Sequence, residues 1–188
     1  MALSINEIKS GVTVLVNGEV YVVVDAQHVK PGKGSAFVRA KSRNMRSSNI
    51  QELTFRGEEK IEQAFIDERK LQYQYSSGDM FHFMDQENYE DIAITAASIG
   101  DNKKFLKDNL DVLGYFYKGE TLTVNLPNHI EFKIIHTEPG IKGDTAKSGT
   151  KSAEIETGAL VQVPLFINEG DVIRIDTRTG QYLERVVK

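Results

Sequence analysis

The sequence predicts an all-β protein made of small barrels, and three observations carry that expectation. Turn-forming clusters recur every eight to twelve residues, the interval that separates strands in sandwiches and barrels. Two valine-rich runs flank Asn17-Gly18, the pair that favours a two-residue type I′ hairpin. Helix signals are scarce in a chain of 188 residues whose apolar content, 40%, is enough to build cores.

Val12 to Val16 and Val20 to Val24 form the first hairpin, and Ala36-Phe37-Val38 is a third strand after the tip Pro31-Gly32-Lys33-Gly34. Further strands read over Glu52 to Phe55, Lys70 to Tyr75, Met80 to Met84, Thr121 to Asn125, Glu131 to His136, Leu160 to Val163 and Val172 to Asp176. Glycine turns such as Ser77-Gly78-Asp79, Lys118-Gly119-Glu120 and Glu169-Gly170-Asp171 separate them. One helix is expected over Lys103 to Leu110, with Asp101 as its N-cap and Leu106 and Leu110 one turn apart. A weak repeat sets Gly78-Asp79-Met80-Phe81-His82-Phe83 beside Gly170-Asp171-Val172-Ile173-Arg174-Ile175. It suggests two related β units of about 60 residues behind a first unit that carries the tip. Gly57-Glu58-Glu59-Lys60 and Leu126-Pro127-Asn128 are the natural joints, giving domains at 1–63, 64–127 and 128–188.

Several classes of chemistry are missing. The chain has no cysteine, so disulfides, thiolate metal sites and cysteine nucleophiles are excluded. His28, His82, His129 and His136 are scattered, without the spacing of a zinc pair, and no metal site is expected. The stretch Gly143 to Ser152 looks like a phosphate loop but places Ser148 where the Gly-Lys pair must begin. No nucleophile elbow, zincin helix or dinucleotide fingerprint occurs, so no enzyme and no cofactor is read here. No apolar run approaches the roughly 20 residues of a membrane helix, and the N-terminus has neither the basic flank nor the apolar stretch of a signal peptide. A cytoplasmic protein with no membrane partner is expected.

The net charge of −4 argues mildly against a polyanionic partner, but the average conceals the distribution. From Ala26 to Gln51 no Asp or Glu interrupts Lys30, Lys33, Arg39, Lys41, Arg43 and Arg46. That window is +6 and the remainder −10, whereas residues 64–127 alone are −5. One basic stripe on an acidic body suits a protein that meets phosphate at one end. Within the stripe, Pro31 fixes its own φ, and Gly32 and Gly34 leave Lys33 on a sparsely decorated turn, open to a modifying enzyme or a narrow cleft.

His28-Val29-Lys30-Pro31-Gly32-Lys33-Gly34-Ser35-Ala36-Phe37-Val38-Arg39 resembles the modified-lysine loop of the bacterial elongation factor P family. Lys151, Ala153, Gly158, Val161, Val163-Pro164, Ile167 and Gly170 are similar to that family's C-terminal signature, at matching spacing. The first third also resembles the hypusine-containing factors of eukaryotes and archaea, which lack the third domain. Ser35 departs from several members of the family.

The resemblance implies an SH3-like (KOW-type) barrel followed by two OB-fold barrels, in an L-shaped, tRNA-like arrangement. It implies a monomeric translation factor that binds the 70S ribosome between the peptidyl and exit sites and stimulates peptide-bond formation at proline-rich stalls. Lys33, extended by a covalent adduct from a lysine-modifying enzyme, is implied to face the end of peptidyl-tRNA, presented by Pro31, Gly32 and Gly34. Lys30, Arg39, Lys41, Arg43 and Arg46 are implied RNA contacts. Gly143, Asp144 and Thr145 match the loop that approaches the exit-site codon, and Tyr182 and Arg185 match positions near the small subunit and its ribosomal RNA. Two alternatives remain at this stage: a family paralogue with a narrower translational role, or a general OB-fold RNA-binding protein.

Overall fold

A computed structural model describes residues 2–32, 34–57, 59–139 and 149–187. In chain order the strands are β1 (Ala2–Leu3), β2 (Thr13–Val16), β3 (Glu19–Val29), β4 (Phe37–Asn44), β5 (Ile50–Arg56), β6 (Ile61–Gln63), β7 (Asp67–Ser77) and β8 (Met80–Asp85). They continue with β9 (Asp91–Thr95), β10 (Asp111–Tyr117), β11 (Glu120–Asn125), β12 (His129–Thr137), β13 (Thr150–Ile155), β14 (Leu160–Pro164), β15 (Val172–Asp176) and β16 (Gln181–Val186). The helix α1 spans only Ala96–Ile99 and runs into a 3-10 turn at Gly100–Phe105; another 3-10 turn covers Ile5–Glu7. The chain is all-β, as its turn spacing predicts.

Chain contacts divide the protein into two compact units, Met1–Glu68 with Gly114–Thr123, and Arg69–Leu113 with Val124–Lys188. The first unit holds a six-stranded sheet in the order β1-β6-β2-β3-β4-β5. Its first hairpin turns at Asn17-Gly18 as the sequence requires: φ is 52° and 82°, positive at both central positions, and Val16 pairs with Glu19. One core gathers Ile8, Val14, Val23, Val38, Ala40 and Phe55, and a second joins Val20 and Ala64 to Leu122 from the tip of the β10–β11 hairpin.

Two five-stranded sheets follow, in the orders β11-β10-β7-β8-β9 and β14-β13-β12-β15-β16. Each has its first strand in the centre, its second and fourth strands beside it, and its third and fifth strands at the edges. The two barrels are therefore topological repeats, but the sequence repeat does not join corresponding strands. Gly78 leads into β8, the second strand of one barrel, whereas Gly170 leads into β15, the fourth strand of the other. What those segments share is a glycine at positive φ, 59° and 89°, before an inward-alternating strand. Glycine turns recur at several corners of a barrel, so the match reports the corner and not the strand.

The helix expected over 103–110 sits earlier. Thr95 caps α1 through its hydroxyl, which accepts from the Ser98 N–H at 3.4 Å, and Gly100 at φ 66° breaks the helix. Leu106 is already extended, and Asn109 is left-handed at φ 62°. The turn instead delivers Phe105, 1% exposed, into the core of the last barrel against Phe132, Ile134, Ile155 and Ile173. Phe105→Ala removes a buried phenyl, so the midpoint of urea unfolding should fall by the equivalent of about 3–5 kcal/mol.

Asp176, at the end of β15, accepts from both the backbone N–H and Nε of Arg178 at 3.0 Å. These bonds hold its carboxyl at about 2. A carboxyl depressed in the folded state contributes stability that is present above its unfolded value and lost as pH falls through the folded one. Unfolding midpoints between about pH 4 and pH 2 should therefore fall less steeply for Asp176→Asn than for the parent chain.

Candidate functional site

The candidate site is built on the hairpin of β3 and β4. Eight pairs run from Tyr21↔Asn44 to Val29↔Phe37, and residues 30–36 connect the strands. Along β4 the alternation is strict: Val38, Ala40, Ser42 and Asn44 are buried, whereas Phe37, Arg39, Lys41 and Arg43 face outward. The polar inward residues are satisfied, Ser42 by the Ala40 carbonyl at 3.2 Å and Asn44 by donation to Glu19 Oε2 at 3.0 Å. His28 pairs with Val38 and is exposed, and its Nε2 lies 3.0 Å from the Ile8 carbonyl oxygen, tying the arm to the N-terminal segment.

At the loop, Pro31, Gly32 and Gly34 are exposed, and Gly34 adopts φ +115°, a conformation that favours glycine. Gly32 does not use positive φ and has open space around it, so its smallness clears the approach to the tip and does not shape the turn. The exit of the loop is pinned by the Gly57 N–H, which donates to the Ala36 carbonyl at 3.2 Å. Lys33 itself, like Gly143, Asp144 and Thr145, lies outside the described residues.

Strand pairing arranges the outward face in rows. Val29, Phe37 and Arg56 form the row nearest the loop; then come Gln27, Arg39 and Thr54, next Asp25, Lys41 and Glu52, and last Val22, Arg43 and Ile50. Arg56 thus joins the basic face, though it lies outside the acid-free stretch; the alternation of Leu53 and Phe55 inward with Thr54 and Arg56 outward was the signal for it. The stripe is also less uniform than the sequence suggests. Asp25 and Glu52, the two acids that bracket the acid-free window, both fold beside Lys41. Arg39 lies with its Nε 4.0 Å from Glu52 and its guanidinium 5.6 Å from the Phe37 ring centre.

Arg46 stands apart. It follows β4 at the end opposite the loop, where the Asn44 side chain accepts from its backbone N–H at 2.8 Å, and its Nη2 pairs with Glu120 at 2.8 Å. Lys30 is exposed at the base of the loop. The structure therefore brings Lys30, Arg39, Lys41, Arg43 and Arg56 together on one arm, and commits Arg46 to an ion pair elsewhere in the same unit.

Tyr182 and Arg185 belong to the other unit and do not form a matched pair on β16. A register shift lies beside them. Tyr182 packs against the core of the last barrel, where burial pushes its phenol up. Arg185 turns out to solvent, 3.7 Å from Asp171 and 5.7 Å from the ring centre of the exposed Phe166. Three of the four histidines have a polar contact within the chain: His28 with Ile8, His82 with Asp91 at 3.0 Å, and His136 with Glu169 at 2.9 Å. Among the described residues no group of three or more histidine or acidic side chains could hold a metal, and no helix is long and apolar enough to cross a membrane.

Comparison with known proteins matches three family models along the chain. The elongation factor P KOW-like domain covers residues 4–61, the elongation factor P OB domain covers 66–124, and the elongation factor P C-terminal model covers 130–185. The chain is 52% identical over 183 residues to elongation factor P of Moorella thermoacetica, which spans 97% of this chain and 99% of that protein. It is 50% identical over 181 residues to elongation factor P of Natranaerobius thermophilus, covering 96% of each. Among solved structures, eukaryotic translation initiation factor 5A from Methanococcus jannaschii aligns with a TM-score of 0.54 at 23% identity, over 67% of this chain and 92% of that one. At that identity the likeness concerns the fold.

The rows of the basic face separate its cations by their partners. For a polyphosphate probe, the slope of log affinity against log salt should drop by about one for Arg43→Ala and for Arg56→Ala, and stay unchanged for Arg46→Ala, whose charge is committed to Glu120.

Proposed function

The chain belongs to the elongation factor P family of translation factors, and from that premise we propose that it binds the ribosome between the peptidyl and exit sites. There it stimulates peptide-bond formation at proline-rich stalls by positioning the end of peptidyl-tRNA. The observation that carries this reading is the β3–β4 hairpin, flanked by β5, whose loop carries Pro31-Gly32-Lys33-Gly34 and whose outward face carries Arg39, Lys41 and Arg43. Lys33 reaches the aminoacyl end of the tRNA, lengthened by a covalent adduct that a lysine-modifying enzyme attaches, while Lys30, Arg39, Arg43 and Arg56 lie along acceptor-stem phosphates.

The same reading takes the chain as three modules at 1–63, 64–127 and 128–188, close to the segments that the three family models match. On this reading Gly143, Asp144 and Thr145 of the last module approach the exit-site codon, and Arg185, with Tyr182 behind it, meets the small subunit. The exposed guanidinium of Arg185 beside Phe166 suits contact with ribosomal RNA.

The mechanism is one of position. A prolyl amine sits in a ring with fixed φ, which makes it a constrained nucleophile, and a prolyl peptidyl chain restricts the ester that it attacks. Holding that ester in an attack-ready arrangement lowers the entropic part of the barrier. About 1.4 kcal/mol of such ordering is worth tenfold in rate, so a modest contact at the tip relieves a stall. The bond-making chemistry is the ribosome's, and Lys33 supplies charge and reach.

Lys33→Ala should leave the unfolding midpoint unchanged and abolish relief of stalling in a reconstituted synthesis of a proline-run peptide. Unimpaired rescue by the variant sinks the reading. Intact-mass and tandem mass spectrometry of the protein from its native host should find added mass on Lys33.

A further inference from the structure

We propose that the outward face of strands β7, β8 and β9 is a docking surface for a basic protein segment, an arginine of which stacks on Tyr75. The proposal is independent of the hairpin and of its reading. Tyr75 is 54% exposed in mid-sheet, and its ring lies parallel to the His82 imidazole across the strand pair, with centres 4.5 Å apart and planes 11° from parallel. The imidazole is in turn held by Asp91, whose Oδ2 lies 3.0 Å from His82 Nδ1. The tyrosine is thus a prepositioned platform, and little rotamer freedom remains to be lost when a ligand lands on it.

The surroundings select the ligand. On β8, Phe83 and Asp85 are buried, whereas Met80, His82 and Met84 lie on the alternate face with Tyr75. The next row across the sheet is Gln72, Met84 and Asp91, and Gln72 Nε2 donates to Asp111 at 3.4 Å. Residues 69–95 carry five acidic and two basic side chains, and one of the two, Arg69, lies 3.7 Å from the buried Asp85. An aromatic face in a negative field, flanked by adaptable thioethers, fits a planar cation: guanidinium stacks on tyrosine and forks onto a carboxylate. A nucleobase could use the same ring, but its phosphates would meet carboxylates opposed within this segment by Lys70, exposed two residues before Gln72. The partner that the charge favours is an arginine-bearing polypeptide.

The full-length protein is titrated with a labelled peptide of alternating arginine and glycine, with its lysine-for-arginine counterpart, and with a short single-stranded RNA. The arginine peptide should bind more tightly than either. Tyr75→Ala should weaken it about two- to fivefold while Tyr75→Phe retains affinity. Asp91→Asn should also weaken binding, and Asp101→Asn, outside this face, should not. Independently of any variant, the peptide should shift the amide signals of Tyr75, His82 and Asp91 in the parent chain. Unchanged affinity of Tyr75→Ala, equal losses for Asp91→Asn and Asp101→Asn, an RNA preference, or self-association that Tyr75→Ala abolishes would each overturn the assignment.

Discussion

The antiparallel ladder between β3 and β4 is the constraint on which the arm and its face depend. Side chains along a strand alternate with period two, so a slip of one residue would turn Arg39 and Lys41 into the core and expose Val38 and Ala40. Burying Val38 is worth about 1.5–3 kcal/mol, and placing an unpaired cation in its stead would cost several times more. The register is also fixed at the far end, where buried Asn44 donates to Glu19 and caps the turn that follows β4. Both faces of the arm follow from one register, so the core that stabilises the barrel and the cations it displays are a single specification.

Much of this was legible in the sequence because it is local. Asn17-Gly18 announces its hairpin through the backbone preference of two residues, and β4 reads inward and outward from its own alternation. What escaped is what depends on pairing. Between Val23 and Asp25 the β3 register shifts by one residue, leaving Val24 exposed and setting Asp25 opposite Lys41. In an unbroken ladder Val24 would stand there. A bulge has no reliable signature in a single strand, and the placement of Glu52 depends on the length of the β4–β5 turn. Two acids separated by 26 residues of chain therefore met at one lysine unannounced.

Strands that the sequence does not announce show a related limit. β10 alternates clearly, with Val112, Gly114 and Phe116 inward, but its single glycine and flanking turn residues masked the period. β9 and β13 are short and half polar, so their pairing partners define them more than their composition does. The misplaced helix has the same origin. Asp101 and the Leu106–Leu110 spacing satisfy local rules, yet the core of the last barrel takes Phe105, and the chain leaves the helix to deliver it. Tertiary packing overrode a modest propensity. The duplication of barrels is visible only as strand order, because the two copies share topology and retain no alignable positions in the segments that looked alike.

The charge of the arm is graded, and screening gives the gradient its meaning. The two rows nearest the loop carry Arg56 and Arg39 and no acid; the third, with Asp25, Lys41 and Glu52, is net negative; the fourth carries Arg43 alone. Rows on one face are about 7 Å apart along the strands, so the acidic row lies about 13 Å from the row at the loop. That exceeds the Debye length of about 8 Å at physiological ionic strength. A phosphate at the tip therefore meets Arg56 and Arg39 ahead of the acidic row, tempered by the Glu52 carboxylate 4.0 Å from Arg39 and by Glu59, which accepts from the Arg56 N–H at 3.3 Å, while one farther down the arm meets a nearly neutral surface. The −4 of the whole chain and the +6 of its window are both true sums, and neither is the field at the loop. That field is set by which side chains a bulge and a turn place within one screening length of it, which is how an acidic protein can present a cationic end.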